Sequence, residues 1–104
     1  MTRNTFINLL KRKIKPRLDD LGFRPVIGNN YYYKIELGSE EWECCYCSFV
    51  AATKGPKQEL TCYCINIEDS AGNNFFDVEE YTQPITEEQI INNFNKVEAF
   101  LLED

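Results

Sequence analysis

The chain has 104 residues, of which 43% are apolar and 13% aromatic, and a formal net charge of −6. Residues 1–104 read as one domain with a single core, which excludes a disordered chain and removes any need for disulfide staples. No apolar run nears the roughly 20 residues that span a bilayer, no charged-then-apolar leader opens the chain, and the acidity opposes a phosphate backbone; a cytoplasmic protein is expected, with neither membrane nor nucleic acid as partner.

The first predicted element is an amphipathic helix. Phe6, Leu10, Ile14, Leu18 and Leu21 recur at helical spacing with basic residues between them. Pro16 must kink this helix or start a second one, because proline removes a donor and clashes one turn back. Gly22 is placed to cap the end, with Phe23 folding back on the last turn. Residues 1–24 carry +5 and residues 25–104 carry −11. Lys11, Arg12, Lys13, Lys15 and Arg17 are read as a solvated helix face, the alternative being contact with phosphate.

Strands follow. Gly28-Asn29-Asn30 is a turn, and Tyr31 to Leu37 is a β-rich run. Gly38-Ser39-Glu40 is the next turn, and a second strand runs from about Trp42 to Val50. Lys54-Gly55-Pro56-Lys57 is a strong turn signal, with a third strand over about Glu59 to Ile67. After the turn at 69–74, a short fourth strand covers Phe75 to Val78. Short connections make the neighbours antiparallel. The last element is a helix: Thr86 stands at the N-cap, Gln89 at the capping-box position, and Ile85 and Ile90 are spaced for a hydrophobic staple. Ile90, Phe94, Val97 and Leu101 form its apolar stripe, widened by Ile91 and Leu102. The fold class is therefore α+β: an N-terminal helix, an antiparallel meander of three to four strands, and a C-terminal helix.

Both faces of the second and third strands are rich in apolar residues. Trp42, Cys44, Tyr46 and Val50 alternate with Cys45, Cys47 and Phe49. Leu60, Cys62 and Cys64 alternate with Tyr63, Ile65 and Ile67. Two helices cover one face; unless one lies on each side, or strand curvature hides the rest, the other face is left as a surface of the kind that marks an interface.

Little of the sequence points to catalysis. There is no histidine, hence no Ser-His or Cys-His pair, and no glycine-rich phosphate loop. No enzyme and no cofactor are expected. The five cysteines (Cys44, Cys45, Cys47, Cys62, Cys64) are odd in number and read as reduced thiols. If Cys45, Cys47, Cys62 and Cys64 faced one another across paired strands, four sulfurs would suit zinc. Same-strand neighbours on one face lie about 7 Å apart, wide for one tetrahedral centre, so packed core thiols are preferred and no metal is expected. The acidic runs near Glu40 and Asp77 are the candidate surface for a protein partner, which their charge suggests is basic. The partner-binding candidates are Glu40, Glu41, Trp42, Glu43, Asp77, Glu79 and Glu80. The alternative is a nucleotide or small-molecule site using Tyr31, Tyr32 and Tyr33 as stacking platforms. Self-association through the open sheet face is a further possibility.

The opening Leu9-Leu10, Ile14-Lys15-Pro16, Leu18 and Leu21-Gly22-Phe23, with the turn and aromatic strand after them, resembles a group of small bacterial domains of unknown function. These begin with a helix ending in Leu-Gly-Phe and continue into an antiparallel meander. Some lie beside polymorphic-toxin genes and are suspected immunity proteins. The resemblance implies a small inhibitory or neutralising protein. It carries over no site residues.

Overall fold

The N-terminal segment is helical along its length but bulges once. In the computed structural model, which describes residues 1–26, 32–36, 44–69 and 71–103 (side chains excepted at 32–36 and at Cys44), α1 spans Arg3–Leu9. Thr2 caps it, its Oγ1 accepting from the Thr5 N–H at 3.3 Å. A π-helical turn follows at Leu10–Ile14, in which the Lys15 N–H donates to the Leu10 carbonyl five residues back. Then α2 spans Lys15–Asp20 with Pro16 in its first turn. The widened turn is how the helix passes Pro16, whose ring blocks the preceding carbonyls and which has no N–H to give. The stripe stays intact: Phe6, Leu10, Ile14 and Leu18 are fully buried, and Leu9 joins them. Gly22, at φ 95°, ends α2. Its N–H donates to Asp19 O at 3.0 Å and the Phe23 N–H to Leu18 O at 2.9 Å, which turns Phe23 into the core.

The strands are β1 (Arg24–Pro25), β2 (Tyr32–Glu36), β3 (Cys44–Lys54), β4 (Glu59–Asp69) and β5 (Asn74–Glu80). They form one antiparallel meander in sequence order, five strands among the described residues. The additional strand is the two-residue β1, too short to leave a pattern in the sequence. The strands from 44 onward run further than predicted, because the 54–59 hairpin stays paired down to Lys54 and Glu59. Residues 27–31 and 37–43, which include two predicted turns, Tyr31 and the acidic run at Glu40, lie outside the described residues.

Two bulges set the faces. Thr61 is an extra residue in β4, between the pairs Ala52–Cys62 and Thr53–Leu60; Phe75 is an extra residue in β5. The first bulge corrects the sequence reading. Leu60 does not share a face with Cys62 and Cys64: the inserted residue flips the alternation and buries it in the core.

α3 (Glu87–Leu102) begins where expected, with the Gln89 N–H donating to Thr86 Oγ1 at 3.1 Å. The capping box is only half made, since the Gln89 side-chain amide donates to Thr82 O instead of returning to Thr86. Ile85 and Ile90 are both buried. Leu102 is 65% exposed and does not widen the stripe.

Both helical segments lie on the same face of the sheet. Phe6 meets Tyr63 at a ring separation of 6.0 Å, Phe94 meets Phe49 at 6.5 Å and Phe100 stacks on Phe76 at 4.7 Å. One cluster joins these residues to Cys47, Ile65 and Ile67. α2 and α3 are joined by Arg17, which donates to both Glu98 carboxylate oxygens and to Asn95 while lying 4.8 Å from the centre of the Phe94 ring.

Candidate functional site

Strand alternation and pairing register place Tyr46, Ser48, Val50 and Ala52 of β3 on the face opposite the helices. Cys62, Cys64, Asn66 and Glu68 of β4 join them, with Asp77 and Glu79 of β5. Among the described residues, no element packs on this face. Rows of paired residues cross it: Ser48, Asn66 and Asp77 form one, and Val50, Cys64 and Glu79 another. Val50 is 54% exposed, Tyr46, Cys62, Cys64 and Asn66 are half-buried, Ser48 between them is buried at 1%, and Asp77 and Glu79 are exposed. The face has an aromatic and thiol-lined centre and a carboxylate edge at β5. β5 is also the last strand of the sheet, so one side of its backbone has no neighbour among the described residues.

The candidate partner residues are divided. Asp77 and Glu79 lie together on the open face. Glu80 does not join them. It pairs with Tyr63 on the helix side, where it accepts from the buried Asn93 Nδ2 at 3.3 Å and from the Thr82 N–H at 3.3 Å. These bonds, the Asn93 one first, hold its carboxyl below the usual range. Glu80 therefore lies on the face opposite Asp77 and Glu79, because one residue along a strand reverses the face. Glu40, Glu41, Trp42 and Glu43 lie outside the described residues. So does Tyr31, and Tyr32 and Tyr33 are described only as backbone in β2.

The four-sulfur arrangement is not formed. Cys45 and Cys47 face the helices, 7% and 0% exposed, whereas Cys62 and Cys64 face the other way. The hairpin register puts Cys47 opposite Ile67 and Cys64 opposite Val50, so a sheet's thickness separates the pairs. Burial pushes the Cys47 thiol far up, as expected of a core thiol.

Sequence reasoning missed the polar pair in the core. Asn93 is only 5% exposed and its Nδ2 donates to Tyr63 Oη at 2.7 Å. The signal was present: Asn93 lies one turn from Ile90, within the apolar stripe, and Glu80 continues the Phe76, Val78 alternation. Much of the basic N-terminal segment is also engaged. Lys13 and Arg12 pair with Glu87 at 2.8 and 3.5 Å, Lys15 with Asp19, and Arg17 with Glu98. On the helix side, an apolar groove of about 300 Å3 runs between the ends of α2 and α3, lined by Leu21, Phe23, Cys45, Ile67, Phe75 and Phe100. No helix among the described residues is long and apolar enough to cross a membrane. Comparison of the chain with family models, with curated proteins and with solved structures gives no match.

Proposed function

We propose that the protein is a small non-enzymatic binding protein of the inhibitor or immunity type, and that it engages a basic protein partner through the open face of its sheet. The observation that carries this reading is the placement of both helical segments on one face. The opposite face then presents Tyr46, Val50 and Cys62, bordered by Glu68, Asp77 and Glu79. Aromatic and aliphatic side chains supply burial at the centre of an interface, and charges at the rim steer the encounter. Charge complementarity chooses the partner. Residues 25–104 carry −11, the cations of the first segment pair largely with α2 and α3, and the face's carboxylates have no basic partner among the described residues. Pairing this face with a second copy would set like charges near one another, which favours a different, cationic protein over self-association.

The test is co-purification from the native cell followed by native mass spectrometry of the complex. A one-to-one complex with a basic protein is expected. Glu68→Lys and Val50→Arg should each weaken it by at least about tenfold, with association slowed by added salt. Glu88→Lys, on α3, should leave it unchanged. A complex insensitive to the open-face changes, or a chain that remains alone or self-associates through this face, would refute the reading.

A further inference from the structure

Asp77 and Glu79 do more on the open face than add charge. Glu79 stands directly opposite Cys64 in the β4–β5 register, and Asp77 stands opposite Asn66, two residues along the same face. The Cys64 sulfur and one oxygen from each carboxylate all lie within 4.8 Å of one another. A tetrahedral cation with bonds of about 2.0–2.3 Å holds its donors roughly 3.3–3.8 Å apart. Closing the difference takes shifts of about 1 Å in donor atoms at the ends of rotatable side chains. The three donors come from two adjacent strands of one sheet, so the hydrogen-bond ladder fixes their spacing.

We propose that Cys64, Asp77 and Glu79 form a binding site for a divalent cation of the zinc class. Each carboxylate already has an orienting neutral partner: Tyr81 Oη donates to Glu79 Oε2 at 3.2 Å and Asn74 Nδ2 donates to Asp77 Oδ2 at 3.0 Å, which leaves one oxygen of each for a metal. The Cys64 thiol donates to Asn66 Oδ1 at 3.0 Å, a bond given up with the thiol proton when a metal binds. None of these partners is a cation, and among the described residues neither carboxylate has a basic partner. The donor set selects the metal. One thiolate with two carboxylates is too soft for magnesium or calcium and too hard for copper(I), which leaves borderline zinc and its probe cobalt(II).

Binding replaces the Cys64 proton by the metal: the S–H bond breaks, an S–metal bond forms, and one proton goes to the buffer. A cation seated between the three groups offsets the repulsion of a thiolate and two carboxylates held within 4.8 Å of one another. The site does not depend on any protein partner, and it is read in the isolated chain.

The experiment is a titration of reduced, chelator-stripped protein with cobalt(II), then with zinc in competition with a chromogenic chelator. One equivalent of cobalt should give a near-ultraviolet thiolate band and intense four-coordinate visible bands. One proton should be released per metal, and zinc should displace the cobalt. Cys64→Ser should abolish the thiolate band and weaken zinc by more than the roughly 10–100-fold that loss of an outer partner costs. Asp77→Asn with Glu79→Gln should weaken zinc comparably while the protein stays folded by circular dichroism. Tyr81→Phe should cost about tenfold, and Cys45→Ala, on the helix side, nothing. Absence of a thiolate band, or its survival in Cys64→Ser, would overturn the site. So would zinc affinity indifferent to Asp77 and Glu79.

Discussion

The two cysteine pairs provide a chemical reading of which sheet face lies under the helices. The perturbation is a pulse of a thiol-alkylating reagent on the native protein, quenched in denaturant with an isotopically heavy reagent and read by tandem mass spectrometry. Cys62 and Cys64 are half-buried on the open face, so both should react without unfolding. Between them Cys62 should be faster: the Cys64 thiolate is disfavoured by burial first and by Asp77 and Glu79 next, and its S–H is held by Asn66. Cys47 is fully buried beneath the helices and its thiol is pushed far up by that burial. It reacts only when the covered face opens. Domains of this kind are stable by about 5–15 kcal/mol, and each 1.4 kcal/mol is tenfold. Even the lower figure slows Cys47 by more than about 1,000-fold relative to Cys62. Sub-denaturing urea should accelerate Cys47 in step with global unfolding and leave Cys62 unaffected. Labelling of Cys47 within tenfold of Cys62, or equal protection of the two, would refute the assignment of faces.

Arg17→Met should lower stability by about 2 kcal/mol and the melting temperature by about 4–8 °C for each kcal/mol, because it removes a two-point bond to Glu98, the Asn95 bond and the contact with Phe94; a double-mutant cycle with Glu98→Gln, followed by urea denaturation, isolates the pair. Gly22→Ala should cost about 1 kcal/mol by the same measurement, since φ 95° is open to glycine and strained for any other residue. Asn93→Leu should cost about 1–3 kcal/mol by leaving Tyr63 Oη without its donor. The acid limb of stability follows from Glu80 and Glu87, both held below the ordinary carboxyl range, Glu80 chiefly by Asn93 and Glu87 chiefly by Lys13. Their stabilising effect is fully present above the unfolded value of about 4.3 and is lost as pH falls through the lower folded values, so the melting temperature measured from pH 6 to pH 3 should drop, and less steeply in Lys13→Ala.

Much of the fold was legible because local rules govern its punctuation. Thr86, Gly22 and the 54–57 turn each act within a few residues, and each does what its chemistry dictates. The passage around Pro16 was foreseen as an interruption, and its form, a π-helical turn, depends on keeping Phe6, Leu10 and Ile14 in one buried stripe. What stayed hidden depends on pairing across strands. The extra residue Thr61 leaves no mark in composition, yet it decides the face of Leu60. The separation of the four thiols likewise follows from a register that alternation alone does not fix. The choice of one face for both helical segments rests on contacts spanning most of the chain, Arg17 with Glu98 among them. Of the candidate site, Asp77 and Glu79 were found by charge, but their meeting with Cys64 required the β4–β5 pairing.

The strict sequence order of the meander also bears on how the molecule forms. Each strand hydrogen-bonds its neighbour in the chain, so the sheet assembles through short loop closures of low entropic cost. The Arg17–Glu98 contact closes a loop of nearly the whole polypeptide, and the Met1 and Arg3 backbones must return to Leu60 and Gln58 at the far hairpin. The strand pairings are thus local in sequence, whereas the docking of the two termini joins segments far apart in the chain. Weakening the α2–α3 contact should chiefly speed unfolding, which makes those two terminal elements the latch on the lifetime of the native state.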